Sequence, residues 1–134
     1  MAKFVLDSYA LLAFFRNEIG ADDVEKLLNE AAEDKHELYI SVVNVGEVYY
    51  MSCRKDSVAK ANQVWEAMKK FPLHFIVADM DLSLAAAKIK ANNKLSFADA
   101  FAAALTIQKK ATLITGDDEF DSLKGETNFK VKYF

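Results

Sequence analysis

At 134 residues the chain suits a single domain, residues 1–134, and with 52% hydrophobic residues it can bury a substantial core without staples. Its one cysteine, Cys53, excludes an internal disulfide and fits a reducing, cytoplasmic setting, and no apolar run approaches the roughly 20 residues that span a bilayer. Net charge is −3, but it is uneven: Met1 to Lys35 holds eight acids and four bases, Tyr50 to Lys110 ten bases and five acids. A mildly acidic total therefore argues only weakly against a nucleic-acid partner, because local patches decide binding.

The opening apolar run is split by Asp7 and lacks a small-residue cleavage site, so it reads as part of the fold rather than a leader. Lys3–Leu6 is predicted as a strand and residues 8–16 as a helix. Residues 21–34 place Val24, Leu27, Leu28 and Ala31 on one helical face. Glu37–Ile40 reads as a second strand, and residues 42–54 and 57–71 as helices. Leu73–Val77 is a third strand, followed by helices over 82–92 and 97–110. Thr112–Thr115 is a fourth strand, and residues 129–134 form an edge strand. Strands alternating with helices imply a mostly parallel sheet covered on both faces, with ligands beyond the carboxyl ends of the strands.

Four acids stand at helix starts or strand ends in apolar company. Asp7 follows the first strand and Asp117 follows the fourth. Either can be a simple helix cap, with Asp118 and Glu119 favoured in a first turn by the helix dipole. Glu47 lies among Val42, Val43, Val45, Val48, Tyr49 and Tyr50, and shares a helix face with Asn44 three residues earlier. Asp99 is the only polar side chain from Phe97 to Leu105. A helix apolar all round is buried all round, so this carboxylate needs a partner or must give up its charge. Ser96 to Asp99 also matches a capping box. Together in one pocket the four acids would repel severely without a cation, and Mg2+ or Mn2+ is the hard ion that takes carboxylate oxygens. His36 and His74 show no ligand spacing and read as surface residues; a zinc site is excluded by one cysteine.

The stretches FVLDSYALLAFF, ISVVNVGEVYY, LSFADAFAAALT and LITGDDEF, in this order, resemble the motifs of PIN domains, and most closely the small prokaryotic proteins of the VapC toxin type. The likeness covers nearly the whole chain. It implies a three-layer α/β/α fold around a mostly parallel sheet of about five strands, ordered 3-2-1-4-5. It also implies a metal-dependent endoribonuclease that cuts tRNA or rRNA and is restrained by a cognate antitoxin. The acids of the four motifs match Asp7, Glu47, Asp99 and Asp117 as catalytic and metal-binding residues. Ser8, Ser96 and Thr115 fall at supporting hydroxyl positions, Asn44 beside Glu47, and Asp118 as an outer partner of Asp117. Glu119 reads as no more than a dipole-favoured residue.

On this reading the acids hold one or two divalent ions, Glu47 orients a water, and cleavage leaves a 3′-hydroxyl and a 5′-phosphate. Arg54, Lys55, Lys88, Lys90 and Lys94 are placed to contact RNA phosphates. The large apolar residues of SYALLAFF and VWEAMKKF suggest a homodimer and a groove for an antitoxin helix. A receiver-like phosphoacceptor and a haloacid-dehalogenase-type phosphatase are disfavoured, because Ser8 and Tyr9 stand where further acids would be needed. The rival is a PIN-like scaffold that binds RNA or protein without cutting.

Overall fold

The computed structural model describes residues 1–123, 125–126 and 128–134. Its elements in chain order are β1 (Ala2–Leu6), α1 (Ser8–Phe15), α2 (Ala21–Ala32), β2 (His36–Ser41), α3 (Val42–Lys55) and α4 (Val58–Met68). Then come β3 (Leu73–Ile76), α5 (Met80–Asn92), α6 (Phe97–Gln108), β4 (Thr112–Thr115), a 3-10 turn (Asp118–Leu123) and β5 (Val131–Tyr133). The five strands form one sheet in the order β3-β2-β1-β4-β5, every pair parallel, as expected.

Alternation along the strands explains the three layers, since successive side chains point to opposite faces. Val5, Tyr39 and Leu113 face α5 and α6, where they pack with Leu82, Ala86 and Phe101. Their neighbours Leu6, Leu38, Ile40 and Ile114 face the other side, against Leu11, Val24, Val48 and Val64 of α1 to α4. Burial on both faces is why these strands read as continuous apolar runs. The alanines Ala100, Ala102 and Ala103 of α6 are fully buried, which lets this helix lie close against β1, β2 and β4.

Two expectations need correction. Helix α5 starts at Met80 rather than 82, because Asp79 caps it: its Oδ1 accepts the Leu82 N–H at 2.9 Å. His36 is not a surface residue; it is 8% exposed, its ring set edge-on to Phe4 at 5.1 Å, whereas His74 is exposed as expected. The apolar surplus assigned to SYALLAFF is largely used inside the fold, where Ala10, Leu11, Leu12 and Ala13 are buried.

What positions the site is the reversal of strand order. The chain runs outward from β1 to β2 to β3, then returns to place β4 on the opposite side of β1. The crevice beyond the carboxyl ends of β1 and β4 is thus the switch point where folds of this class bind ligands.

Candidate active site

Asp7 occupies the single residue between β1 and α1. It caps α1, its Oδ1 accepting the Ala10 N–H at 2.8 Å. The Thr115 hydroxyl, at the end of β4, donates to Asp7 Oδ2 at 2.5 Å and accepts the Asp117 N–H at 3.0 Å. One hydroxyl thereby ties the ends of β1 and β4 together. Between Thr115 and Asp117 the chain passes beneath the rings of Tyr9 and Phe134, and a side chain at Gly116 would overlap Tyr9.

Helix α3 begins directly after β2, with the Ser41 hydroxyl accepting the Val43 N–H at 3.2 Å. That junction brings the first turns of α3 to the carboxyl end of the sheet. Glu47 Oε1 accepts the Ser8 hydroxyl at 2.7 Å and the Asn44 amide at 3.2 Å. The same Asn44 Nδ2 donates to the Ala98 carbonyl at 3.2 Å, one residue before Asp99, while its buried Oδ1 has no partner among the described residues. Ser96 caps α6, its Oγ accepting the Asp99 N–H at 3.1 Å. One half of the expected capping box is therefore formed, and it sets Asp99 in the first turn facing the other acids.

Carboxylate oxygens of Asp99, Asp117 and Glu119 all lie within 4.8 Å of one another. Glu119 is brought there by the turn that Asp117 makes, its Oδ1 accepting the Glu119 N–H at 2.9 Å. Asp118 and Glu119 are both exposed; Glu119, read from the sequence as a dipole-favoured residue, offers a carboxylate oxygen to this group, and among the described residues Asp118 does not. Asp7 and Glu47 border this trio without joining it. Arg54, Lys55, Lys88, Lys90 and Lys94 are exposed on α3, on α5 and just beyond it, with no bond to the acids; Arg54 lies over the Tyr50 ring instead.

The electrostatics record the crowding. Burial pushes the Asp7 carboxyl up to about 7 against the opposing bonds from Thr115 and Ala10, and the charges of Asp99 and Asp117 add to the rise. Asp99 is also pushed up to about 7, first by burial, then by Asp117 and Glu47. Burial and neighbouring like charge both favour the protonated forms. The clustered donors are all carboxylate oxygens, a set that fits a hard divalent cation and does not suit a soft one.

Fold and site together define a doubly covered parallel α/β domain with an acidic crevice at its switch point. The family model of the PIN domain matches residues 4–126, and the chain belongs to that family. Three solved structures share the fold closely. VapBC2 from Rickettsia felis, bound to a DNA fragment from their promoter, aligns with TM-score 0.76 over 98% of each chain at 14% identity. VapBC-5 from Mycobacterium tuberculosis, of the VapBC family of toxin–antitoxin systems, aligns at 0.67 over 100% of each chain at 19% identity. VapC20 from Mycobacterium tuberculosis, a Sarcin-Ricin loop cleaving toxin, aligns at 0.71 over 92% of this chain and 95% of that one at 16% identity. No curated protein sequence matches the chain. At such identities the likeness is one of fold.

Proposed function

We propose that the chain is a metal-dependent endoribonuclease cutting structured RNA such as tRNA or rRNA, and the toxin of a toxin–antitoxin pair. The observation that carries this reading is the convergence of Asp7, Asp99 and Asp117 at the β1/β4 switch point, with Asp7 and Asp99 held proton-rich first by burial and then by neighbouring acids. The fold shared with toxin–antitoxin proteins and with a Sarcin-Ricin loop cleaving toxin supports the same assignment.

Asp99, Asp117 and Glu119 would hold Mg2+ or Mn2+, with Asp7 and Glu47 at the border of the site. Such an ion, when bound, supplies an acidified water and neutralises charge at the scissile phosphodiester. The protein's own contribution is placement. Thr115 fixes which Asp7 oxygen faces β4, and Ser8 and Asn44 fix Glu47, which leaves its second oxygen to orient water. Arg54, Lys55, Lys88, Lys90 and Lys94 are the candidate phosphate contacts near the helical layers, positioning RNA without reading its sequence. Between α3 and α4, Val45, Val48, Val64, Trp65 and Met68 line an apolar cavity of about 310 Å³, the candidate seat for an antitoxin helix. A homodimer and a cytoplasmic location complete the reading; among the described residues no helix is long and apolar enough to cross a membrane.

The test is cleavage of a mixed RNA pool by pure protein with Mg2+ or Mn2+, then with EDTA, beside Asp7→Asn prepared identically. Asparagine caps a helix as well as aspartate does, so the fold should survive. Discrete fragments from the wild type alone, abolished by EDTA, are expected. Equal cleavage by both proteins would expose a contaminant, and no metal binding by calorimetry would favour the non-cutting scaffold.

A further inference from the structure

We infer that the amino-terminal end of the sheet, opposite the carboxylates, is a second contact for the phosphate backbone of a folded RNA, an inference that rests on the ribonuclease reading above. Lys3, Lys109, Lys110 and Lys130 surround a cavity of about 310 Å³ that Phe4 and Thr112 also line, with no acid among its walls. None of the four lysines is ion-paired among the described residues. The nearby acid is Glu37, which pairs in register with Lys3 and accepts the Tyr39 hydroxyl. Lys109 lies over the Tyr39 ring, 5.1 Å from its centre.

Each lysine alone has an ordinary explanation. Lys109 and Lys110 end α6, where positive charge suits the helix dipole. Lys130 precedes the edge strand β5, where a charge deters strand pairing between molecules. These explanations are local and do not account for four charges meeting around one cavity from three parts of the chain. Lys110 adds a separate observation. It has φ +53 at the end of α6, the Ala111 N–H bonding the Thr106 carbonyl at 2.9 Å, a position that glycine or asparagine occupies with less strain.

The chemistry fits a repeating polyanion better than one compact ligand. The lysines are flexible point charges with no arginine fork beside them, so they suit phosphates in series. The spacing follows from α6, which carries Asp99 near its start and has Lys109 at its end. Ten residues of helix rise about 15 Å, a straight-line separation that an RNA passing over the surface must exceed. An RNA long enough to cover both ends gains attraction at one end that offsets the repulsion at the other.

The experiment measures binding of a synthetic RNA hairpin longer than that span to the full chain in EDTA, across a KCl series. The combined variant Lys109→Gln, Lys110→Asn, Lys130→Gln is compared with wild type and with Lys35→Gln, Lys60→Gln, Lys69→Gln; asparagine preserves the backbone at 110. The expected result is a slope of log affinity against log salt that falls by about two to three in the first variant only, near 0.7–0.9 per lost phosphate contact. An unchanged slope, or the same loss in both variants, would overturn the inference. Should the combined variant unfold, single Lys130→Gln should still lower the slope by about one, and no change there would equally overturn it. Wild-type cleavage with Mg2+ is run in parallel. Failure to cleave with the slope effect intact sinks the ribonuclease reading alone; cleavage with no slope effect sinks only this inference.

Discussion

The two ends of the sheet each bury a titratable group, and they do so in opposite ways. At the carboxyl end Asp7 is 1% exposed, both its oxygens are bonded, and two further acids raise its protonation. At the amino end His36 is 8% exposed, neither ring nitrogen has a hydrogen-bond partner among the described residues, and Glu30 stands 3.9 Å from Nε2. Burial alone therefore does not mark a site. What distinguishes Asp7 is convergence: Thr115 of β4 bonds it directly, and Asp99 of α6 and Asp117 beyond β4 lie near enough to raise its carboxyl. His36 is held by packing against Phe4.

The sharpest way to break this contrast is to remove charge from the converging group. Asp99→Asn keeps size and backbone but takes a carboxylate from the trio. Cleavage should fall on the order of 100-fold or more, as expected when a metal contribution worth several kcal/mol is weakened. Above about pH 7, where the Asp99 carboxyl is ionised, the thermal midpoint of the metal-free protein should not fall, because a repelled buried charge has gone. Unimpaired cleavage would show that the acids converge for structural reasons only.

The second effect is on stability. Asp7 and Asp99 are raised from 3.8 to about 7 in the folded chain. Between those values the folded state binds more protons than the unfolded one, so stability falls as pH rises. The stabilising contribution of these two carboxyls in the metal-free protein is full below the ordinary aspartate range and is lost as pH rises through about 7. Mg2+ or Mn2+ should then raise the midpoint more at pH 8 than at pH 5, since protons and metal compete for the same oxygens. Midpoints by circular dichroism with and without metal check this, and a metal effect independent of pH would contradict it. Asp99→Asn should flatten the metal-free profile.

Much of the architecture was legible because it rests on short-range rules. Strands buried on both faces appear as unbroken apolar runs, and the places where those runs end are the places where Asp7 and Asp117 lie. Asp99 was legible as one polar residue in an apolar helix. Glu119 was not, because its position depends on a turn closed by Asp117, and three adjacent acids look alike in one dimension. The start of α5 was missed for a similar reason: Asp79 in a strand-to-helix junction is indistinguishable from a loop acid until it caps. His36 was misread because polarity suggests exposure, whereas the packing of Phe4 and α2 over the start of β2 decides it.

The smallest expected effect tests that last point. Whichever nitrogen of His36 carries a proton, it has no acceptor within bonding distance among the described residues. An unsatisfied buried donor costs about 1–3 kcal/mol, while the edge-on contact with Phe4 contributes about 0.5–1.5 kcal/mol. His36→Leu gives up the second and removes the first. Its unfolding free energy should therefore change by between about −0.5 and +2.5 kcal/mol, with cleavage unaffected. A loss beyond about 2 kcal/mol would mean that the Glu30 contact closes in solution into a charge-assisted bond. Asp7→Leu offers the matching measurement at the other end of the sheet. It removes the cap of α1 and leaves the Thr115 hydroxyl without its acceptor, and it should abolish cleavage whatever it does to stability. If both substitutions left cleavage intact, the difference between a converged and a merely buried group would have no functional content here.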